Sequence, residues 1–439
     1  MADNQKQHFR SRLFQSKFNH TINLYYNDNS VTNINDIVRE IKGINYKLGT
    51  FASCDMILHD KEKRIHHDIF FNNGNKITIL INNIDGTSLY FIGYIKSFQP
   101  IDAEEDLYSI KLWSVYDFSN LKLIRKGFPG IKKISDILEE TLADELLYGE
   151  EIAKGFRIIE ETETTLENFI IPGWNILTLL NKLTPYASKF DNIFMYYEDS
   201  RGLIFINRKS LFENNINRLR PVFKFTPNQI TNENQTDDNT LEQLSLKEVP
   251  FNIIYDYDVD GFNAMEHRKS KDFGTNVTIF NYKDKSTSKF DFNFADQFKN
   301  LNTLNKYSIL GEDYMNNIAK TPNIEYTSFP ELVNNYGKYN TLDASMQDYS
   351  ITIKTNFAGY LNISDFVRLD FPGIIGAVES LSGNWMVGAI RHRLEISEGL
   401  TRESRLSTYI TLIRDSINID NNIAKALNLL KKEKLIVKE

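Results

Sequence analysis

Alternating apolar and polar residues mark two similar stretches of this chain, one near each end. In residues 385–414, the segments 385–394 and 406–413 alternate with a period of two, which is the period of half-buried β-strands. A connection rich in Glu, Gly, Arg and Ser separates these segments. Residues 90–117 show the same pattern. We therefore predict a long antiparallel hairpin in each stretch.

The two predicted hairpins also align residue by residue. The sequence FIGYIK at 91–96 aligns with MVGAIR at 386–391. After a slightly shorter connection in the first hairpin, the second strands align at three positions, Leu112, Val115 and Asp117 with Ile410, Ile413 and Asp415. The alignment indicates that the chain contains the same β-domain twice.

Strand patterns also precede the first hairpin. We predict strands at 21–26, 51–58, 65–71 and 76–81, with Asn73-Gly74 and Asp85-Gly86 as turn signals. Asn35 stands where the N-cap of a short helix is expected. That helix would carry Ile37, Val38 and Ile41 on one face and end at Gly43.

Residues 118–212 mix helix and strand patterns. Ser135 is a candidate N-cap for a helix with Ile137, Leu138, Thr141, Leu142 and Leu146 at helical spacing and Gly149 after its end. A strand is predicted at 156–160, and a second helix at 174–190, where Pro185 should kink or split it. A hairpin follows, with strands at 193–198 and 203–207 around Ser200-Arg201-Gly202. These patterns predict a compact α+β unit.

The remaining chain returns to strands after a polar segment. Residues 213–248 are rich in Asn, Asp and Gln, and 228–240 reads as an exposed loop. Strands are predicted at 251–257, at 275–282 and through 349–415, with turns at Pro372-Gly373 and Ser382-Gly383, and helices at 305–319 and after Ser328, with Pro330 early in the latter. The tail at 418–434 has Ile423, Ala426, Leu427 and Leu430 on one helical face and lysines at its end. We expect a docked terminal helix there.

Length and composition predict a multidomain globular protein. A chain of 439 residues exceeds one usual core, so two to four domains are expected. It is 41% hydrophobic, and its 30 Phe and 22 Tyr with few Gly and Pro suit sheets with an aromatic core. The N-terminus has no apolar signal region and no run is long enough to span a bilayer, so we expect neither secretion nor a membrane anchor.

Charge and cysteine content narrow the possible partners. A formal net charge of -7 argues against a surface built to neutralise phosphates, so no high-affinity nucleic-acid partner is expected. Cys54 is the single cysteine, which excludes an intrachain disulfide and a cysteine-based zinc site. We expect its side chain to be buried as a small apolar group.

One motif suggests calcium chemistry. Residues 256–261, DYDVDG, match the first half of an EF-hand loop, which requires oxygen ligands at positions 1, 3 and 5 and a bidentate Glu at position 12. Here position 12 is His267, and the nearest acid, Glu266, is one residue early. The upstream sequence also reads as a strand and not as a helix. We predict a solvated strand end or turn.

Other candidate chemistry is weaker still. His66 and His67 are adjacent in a predicted strand, so their rings should point to opposite faces. His392 lies between two arginines, and we predict an interface or surface role for it. The acid pairs Glu139-Glu140 and Glu160-Glu161 read as solvated faces. No nucleophile elbow, P-loop or dinucleotide fingerprint occurs, so we assign no catalytic, cofactor-binding or metal-ligating residue and no cofactor, although a carboxylate pair assembled from distant residues stays open.

Four features in order carry a resemblance to a known family. They are the N-terminal β-domain, the helix–hairpin unit at 172–211, the segment at 251–286, and the final hairpin with NWMVGAIRHRL and TYITLIRDS. In this order they resemble the baseplate central hub protein of contractile-tailed bacteriophages, which joins the tail tube to the central spike. The resemblance covers residues from about 20 to 416 and leaves out the segment 228–240 and the tail.

The resemblance implies a fold and a domain plan. The fold would be mainly β with α+β insertions, with two similar antiparallel β-barrel (tube-like) domains and peripheral α+β domains. The first tube-like domain would be 1–118 and the second 213–250 with 345–415. Peripheral domains would be 119–212 and 251–344, and residues 416–439 would form a C-terminal helix or tail.

The resemblance also implies partners and a location. Such a hub is a homotrimer whose six tube-like domains form a ring between a sixfold tail tube, or its initiator protein, and a trimeric central spike. The peripheral domains would contact other baseplate proteins, and DNA would pass through the lumen. The protein would be assembled in the host cytoplasm and end in the virion, without an enzymatic role.

Three alternatives remain open at this stage. The chain could be the hub domain of a secretion-system spike. Such proteins usually continue into a needle of repeats, and we expect no such needle after Glu439. It could also be a tail-associated hydrolase of the cell wall, or a calcium-dependent binding module built on 256–267.

Overall fold

The computed structural model describes the chain in sixteen ranges. They are residues 18–25, 31–63, 75–83, 88–102, 106–145, 157–190, 192–208, 221–225, 251–260, 274–281, 285–293, 321–327, 332–345, 349–371, 381–396 and 404–414. Two compact units share the chain. Unit 1 contains 1–217, 352–365 and 387–411, and unit 2 contains 218–351, 366–386 and 412–439. Strands dominate the described residues, so the predicted mainly β fold with smaller α-containing parts is confirmed.

The described residues in the first part of unit 1 form seven antiparallel strands. They are β1 (Phe18–Tyr25), β2 (Val31–Asn33), β3 (Val38–Lys47), β4 (Ser53–His59), β5 (Lys76–Asn83), β6 (Ser88–Asp102) and β7 (Leu107–Ser114). Their spatial order is β2-β1-β5-β6-β7-β4-β3. Inward positions alternate along each strand, and Ile22, Ile44, Met56, Ile79 and Ile110 are fully buried. Cys54 is buried among them, as predicted.

The helix predicted at residues 35–43 is wrong, because this segment leads into strand β3. Register shifts in the pairing of β3 with β4 fall between Val38 and Glu40 and between Ile41 and Gly43. Each shift adds a residue, as a β-bulge does, so buried side chains recur at 38, 41 and 44 with a helix-like spacing. Asn35 does not cap a helix, since its Oδ1 accepts a hydrogen bond from the Ile22 N–H at 2.6 Å.

An α+β part follows in unit 1. Its elements are α1 (Val115–Ser119), β8 (Ile124–Lys133), α2 (Ile134–Glu145), β9 (Arg157–Ile159), β10 (Thr165–Trp174), α3 (Ile176–Leu183), a 3₁₀ turn (Thr184–Tyr186), β11 (Ser188–Lys189), β12 (Asn192–Asp199) and β13 (Gly202–Asn207). β8 and β10 form an antiparallel ribbon, and the other strands form a sheet in the order β11-β12-β13-β9. The predicted helix α2, strand β9 and hairpin β12–β13 are confirmed.

Two details of that part differ from the prediction. Ser135 lies inside α2 and does not cap it; its hydroxyl oxygen accepts a hydrogen bond from the Thr162 N–H at 3.2 Å. The helix predicted at 174–190 extends only over α3, because Trp174 ends β10 and Pro185 lies in the 3₁₀ turn. Phe190, at the end of the predicted helix, is 64% exposed.

The described residues after 208 supply ten strands and one helix. They are β14 (Val222–Phe225), β15 (Phe251–Ile254), β16 (Asp256–Asp260), β17 (Gly274–Asn281), β18 (Ser286–Asn293), β19 (Thr321–Thr327), α4 (Val333–Ser345), β20 (Tyr349–Asn356), β21 (Phe366–Asp370), β22 (Gly383–Ile396) and β23 (Ser404–Arg414). The strands predicted near 251–257, at 275–282 and through 349–414 are present, and so is a helix after Ser328.

Strand pairing places the second long hairpin. β22 pairs with β23, β23 with β20, and β20 with β16. In unit 2, residues 383–386 of β22 pair with β21, β21 pairs in parallel with β14, and β14 pairs in parallel with β15. In unit 1, residues 389–395 of β22 pair with β3. Unit 2 also has a sheet in the order β18-β17-β19, where Val277 and Phe292 pack on Val333 of α4.

Several predictions fall outside the described residues. They are the strand at 65–71 with His66-His67, the turns at 73–74, 85–86 and 372–373, Gly149, the loop at 228–240, the helix at 305–319, Pro330, Asp415 and the tail helix at 418–434. Among the residues that the structure describes, no helix is long and apolar enough to cross a membrane.

Candidate functional site

Strand β12 holds the α+β part of unit 1 against the turn between β3 and β4. The Gly49 N–H donates to the Tyr196 carbonyl oxygen at 2.9 Å, and the Tyr196 hydroxyl donates to the Gly49 carbonyl oxygen at 2.7 Å. Leu48 and Tyr197 form an isolated β-bridge beside this pair. Gly49 has a φ of +69°, which glycine adopts without strain, so the turn can present both of its backbone groups to β12.

Glu198, near the end of β12, is a buried carboxyl group at this junction. Its Oε2 accepts hydrogen bonds from the Ala52 N–H at 2.9 Å and from the Ser114 hydroxyl at 2.6 Å. Burial raises the pKa of Glu198 to about 8, the two hydrogen bonds oppose this shift, and the charges of Asp117 and Asp199 add to it. The carboxyl group is therefore mostly protonated at neutral pH.

A cleft of about 60 Å³ opens beside Glu198. Its lining includes Tyr46, Tyr90, Phe91, Tyr116, Glu198 and Asp199. The Tyr46 hydroxyl is buried and has no hydrogen-bond partner within the described part of the chain. Burial, followed by the charges of Glu198 and Asp199, raises the pKa of Tyr46 well above its usual value. The cleft thus combines aromatic walls with a carboxyl group and an unpaired hydroxyl.

Asp199 forms an ion pair with Arg201 in the turn between β12 and β13. Its Oδ2 lies 2.5 Å from Nη2 of Arg201, and its Oδ1 accepts from the Arg201 backbone N–H at 2.8 Å. The turn therefore closes the β12–β13 hairpin, and Glu198 is the carboxyl group of the cleft that has no cationic partner among the described residues.

His392 lies in the core of unit 1, so the predicted surface or interface role is wrong. It is 2% exposed, because it occupies an inward position of β22. Its Nδ1 lies 3.0 Å from Oγ1 of Thr408, and its ring packs near Tyr46 and Phe357. Burial lowers the pKa of His392 to about 3, so the ring is neutral at physiological pH.

The calcium-like motif lies in a strand at its described positions. Residues 256–260 form β16, and Asp256 and Asp258 are exposed. The later ligand positions, 261–267, and the pair His66-His67 lie outside the described residues. Within the described ranges, no group of three or more His, Cys, Asp or Glu side chains is arranged to hold a metal ion.

The predicted acid pairs form local ion pairs in the α+β part. Lys132 pairs with Glu140 at 2.7 Å, and Lys133 pairs with Glu161. Glu160 is less exposed than predicted, since it pairs with Lys189 at 3.2 Å and accepts the backbone N–H of Asn207 at 2.9 Å. These carboxylates therefore have structural partners.

Sequence reasoning missed Glu198 and Tyr46. The one local signal for Glu198 is its place in the run NIFMYYED, where apolar and aromatic residues occupy both faces of a strand and a glutamate is therefore expected to be buried. Tyr46 carries no comparable signal, because the isolation of its hydroxyl depends on neighbours that are distant in sequence.

Comparison with solved structures identifies proteins with a similar fold. No protein-family model matches the sequence, and no curated protein matches it either. The tail protein from Neisseria meningitidis MC58 is 10% identical, and the match covers 90% of this chain and 97% of that chain with a TM-score of 0.51. The 43 kDa tail protein of prophage MuSo2 from Shewanella oneidensis is 13% identical, with 90% and 98% covered and a TM-score of 0.50. This chain has the fold of these two tail proteins.

The fold shared with these proteins confirms, at the level of fold, the resemblance that the sequence shows. The match to each of these two proteins covers nine tenths of this chain, so it includes more than one of its parts. A chain of the Francisella PdpA–VgrG complex also matches, at 11% identity over 95% of this chain and 61% of that one, but its TM-score of 0.46 is too low to add to the assignment.

Proposed function

We propose that the protein is a structural hub of a phage tail baseplate. Three copies would form a ring of six similar β-domains that joins a sixfold tail tube to a trimeric central spike. The proposal assigns no catalytic role and no cofactor to the chain. The fold shared with phage tail proteins supports the general setting, and the internal repeat supports the specific architecture.

The repeated strand order is the observation that carries the proposal. Around the first hairpin the order is β1-β5-β6-β7-β4-β3, and around the second it is β14-β21-β22-β23-β20-β16. When each set of six is numbered along the chain, both orders read first, fourth, fifth, sixth, third, second. One difference is that β1 and β5 are antiparallel whereas β14 and β21 are parallel. An identical order of six strands supports two copies of one domain.

Symmetry explains why a hub would need this repeat. A closed ring requires equivalent or nearly equivalent contacts between successive members. A trimer that meets a sixfold tube can satisfy this requirement when each chain offers two similar domains. Contacts between neighbouring domains would also cover the free edges of their sheets, which otherwise invite uncontrolled pairing.

The proposed domain plan follows from the same reasoning. Residues 1–118 would form the first tube-like domain, and residues 213–250 with 345–415 the second. Residues 119–212 and 251–344 would lie on the outside of the ring and contact other baseplate proteins. The net charge of -7 suits a lumen through which DNA passes without being held.

The oligomeric mass in solution tests the proposal directly. Three chains of 51.1 kDa give about 153 kDa, which light scattering coupled to gel filtration resolves from one or two chains. Electron microscopy of the same sample should show threefold particles with six similar densities in a ring. A monomer at high concentration that stays monomeric after mixing with the tube and spike proteins of the same phage would contradict the proposal.

A further inference from the structure

The cleft beside Glu198 has the chemical features of a site for a small cation. Aromatic residues form part of its walls, with Tyr46, Phe91 and Tyr116 among the residues that line it. Aromatic faces attract cations through the negative charge on the ring surface. The volume of about 60 Å³ exceeds the roughly 10–15 Å³ that one water requires. The cleft therefore has room for an ammonium group and its nearest methylene groups.

Two acceptor atoms at the cleft are available to such a group. Both hydrogen bonds that Glu198 accepts are on Oε2, and no described residue bonds its Oε1. The Tyr46 hydroxyl is buried without a partner in the described chain, although buried hydroxyl groups are normally hydrogen-bonded. A primary ammonium has three donors and no acceptor, so it has enough donors for both oxygen atoms.

Among the described residues, no positively charged group contacts Glu198. Asp117 and Asp199 both act on Glu198 as negative charges. Arg201 is engaged with Asp199, and none of the described lysines or arginines contacts Glu198. A carboxyl group that is buried near other acids gains most from a cation that enters from outside.

We propose that this cleft binds a primary alkylammonium group, from a lysine side chain of a partner protein or from a free amine. The ammonium would donate to Glu198 Oε1 and to the Tyr46 oxygen, with its methylene groups against the aromatic walls. The proposal concerns the isolated chain and does not rest on the trimeric ring proposed above.

Binding should release a proton from Glu198. The cation favours the ionised carboxylate, whereas the free cleft holds a carboxyl group with a pKa of about 8. Asp117 and Asp199 are the other titratable groups that act on this carboxyl, Tyr46 lies in the same cleft, and Arg201 forms an ion pair with Asp199. Affinity should therefore rise by up to about tenfold per pH unit between about pH 6 and 7, and less steeply near pH 8.

Ligand-observed NMR titration of the full chain with n-butylammonium chloride tests this inference. n-Butanol has the same alkyl chain without the charge, and sodium chloride controls for ionic strength. We expect saturable binding of the ammonium alone, tightening with pH as stated. Glu198→Gln should abolish this binding and its pH dependence, and Tyr46→Phe should weaken binding several-fold. Glu167→Gln, an exposed acid on β10, is the matched control and should bind as the unchanged chain does.

Two results of the titration would contradict the proposed ammonium site. Equal binding of n-butylammonium to the unchanged chain and to the Glu198→Gln variant would overturn the proposal, and so would equal binding of butanol. N-acetyl-lysine methylamide and cadaverine distinguish the sources. Binding of the lysine derivative as tight as that of butylammonium supports a protein lysine, whereas tighter binding of cadaverine supports a free diamine.

Discussion

Replacing Glu198 with Gln should remove a large pH dependence of the stability of this protein. The pKa of Glu198 is about 8 in the folded chain, and the ordinary value is 4.5. At pH values between 4.5 and 8, Glu198 therefore takes up a proton when the chain folds. The stability that the neutral carboxyl group contributes is complete below pH 4.5 and is lost as the pH rises through about 8.

The magnitude follows from the difference between the two pKa values. At about 1.4 kcal/mol per unit, a difference of 3.5 units between 8 and 4.5 gives about 5 kcal/mol in all, of which about 3 kcal/mol is lost by pH 7. The Gln side chain does not titrate, and its carbonyl oxygen can accept the same hydrogen bonds from Ala52 and Ser114. An unsatisfied amide N–H would cost about 1–3 kcal/mol at every pH. The change in the free energy of unfolding per pH unit is therefore the informative quantity, because the cost of an unsatisfied amide is the same at every pH.

Urea denaturation at a series of pH values measures that slope. Between about pH 5 and 8, the free energy of unfolding of the unchanged chain should fall more steeply than that of Glu198→Gln, by up to about 1.4 kcal/mol per pH unit. Glu167→Gln makes the same chemical change at an exposed position and should follow the unchanged chain. Parallel curves for the unchanged chain and Glu198→Gln would refute the reasoning.

Three further predictions concern the core and the repeat. The pKa of His392 is about 3 in the folded chain and 6.5 ordinarily, so the stability that the neutral ring contributes is present above pH 6.5 and is lost as the pH falls. At pH 5, urea denaturation should show that the free energy of unfolding of the wild-type chain has fallen by about 2 kcal/mol, a loss that His392→Gln should not show. Gly93→Ala places a Cβ 2.7 Å from Cβ of Leu112 and should lower stability by about 1–3 kcal/mol. Gly127→Ala meets open space and should change stability by no more than about 0.5 kcal/mol, and calorimetry should separate the two variants. In an experimental structure of the assembled ring, Gly93 should superpose on Gly388, and unrelated folds around these two residues would contradict the repeat.

The long hairpins were predictable because their signal is local. Alternation with a period of two depends only on which face of a strand is buried, and β6, β7, β22 and β23 lie where this alternation predicts strands. The alignment of residues 91–96 with 386–391 needed no structure either. The same local reasoning found α2 and the β12–β13 hairpin.

The prediction was wrong where the backbone departs from regular geometry. Bulges in β3 gave buried residues a helix-like spacing, so a strand was read as a helix. β8 and β10 were not predicted, because glycine and proline interrupt their alternation at Gly127, Pro129 and Pro172. In both cases the sheet partner stabilises a conformation that the sequence alone does not favour.

The sequence by itself determined the mainly β class, the alignment of the two hairpins that predicts a repeat, and the resemblance to a phage tail hub. Only the tertiary structure decided that Glu198 and Tyr46 meet at one cleft and that His392 is buried. The hydrogen bonds of Glu198 join it to residues 84 and 146 positions away. Alternation along a strand carries no information about contacts at that separation, because these contacts depend on how whole strands pair and pack. The pKa shifts depend on the same packing, since burial is their largest cause.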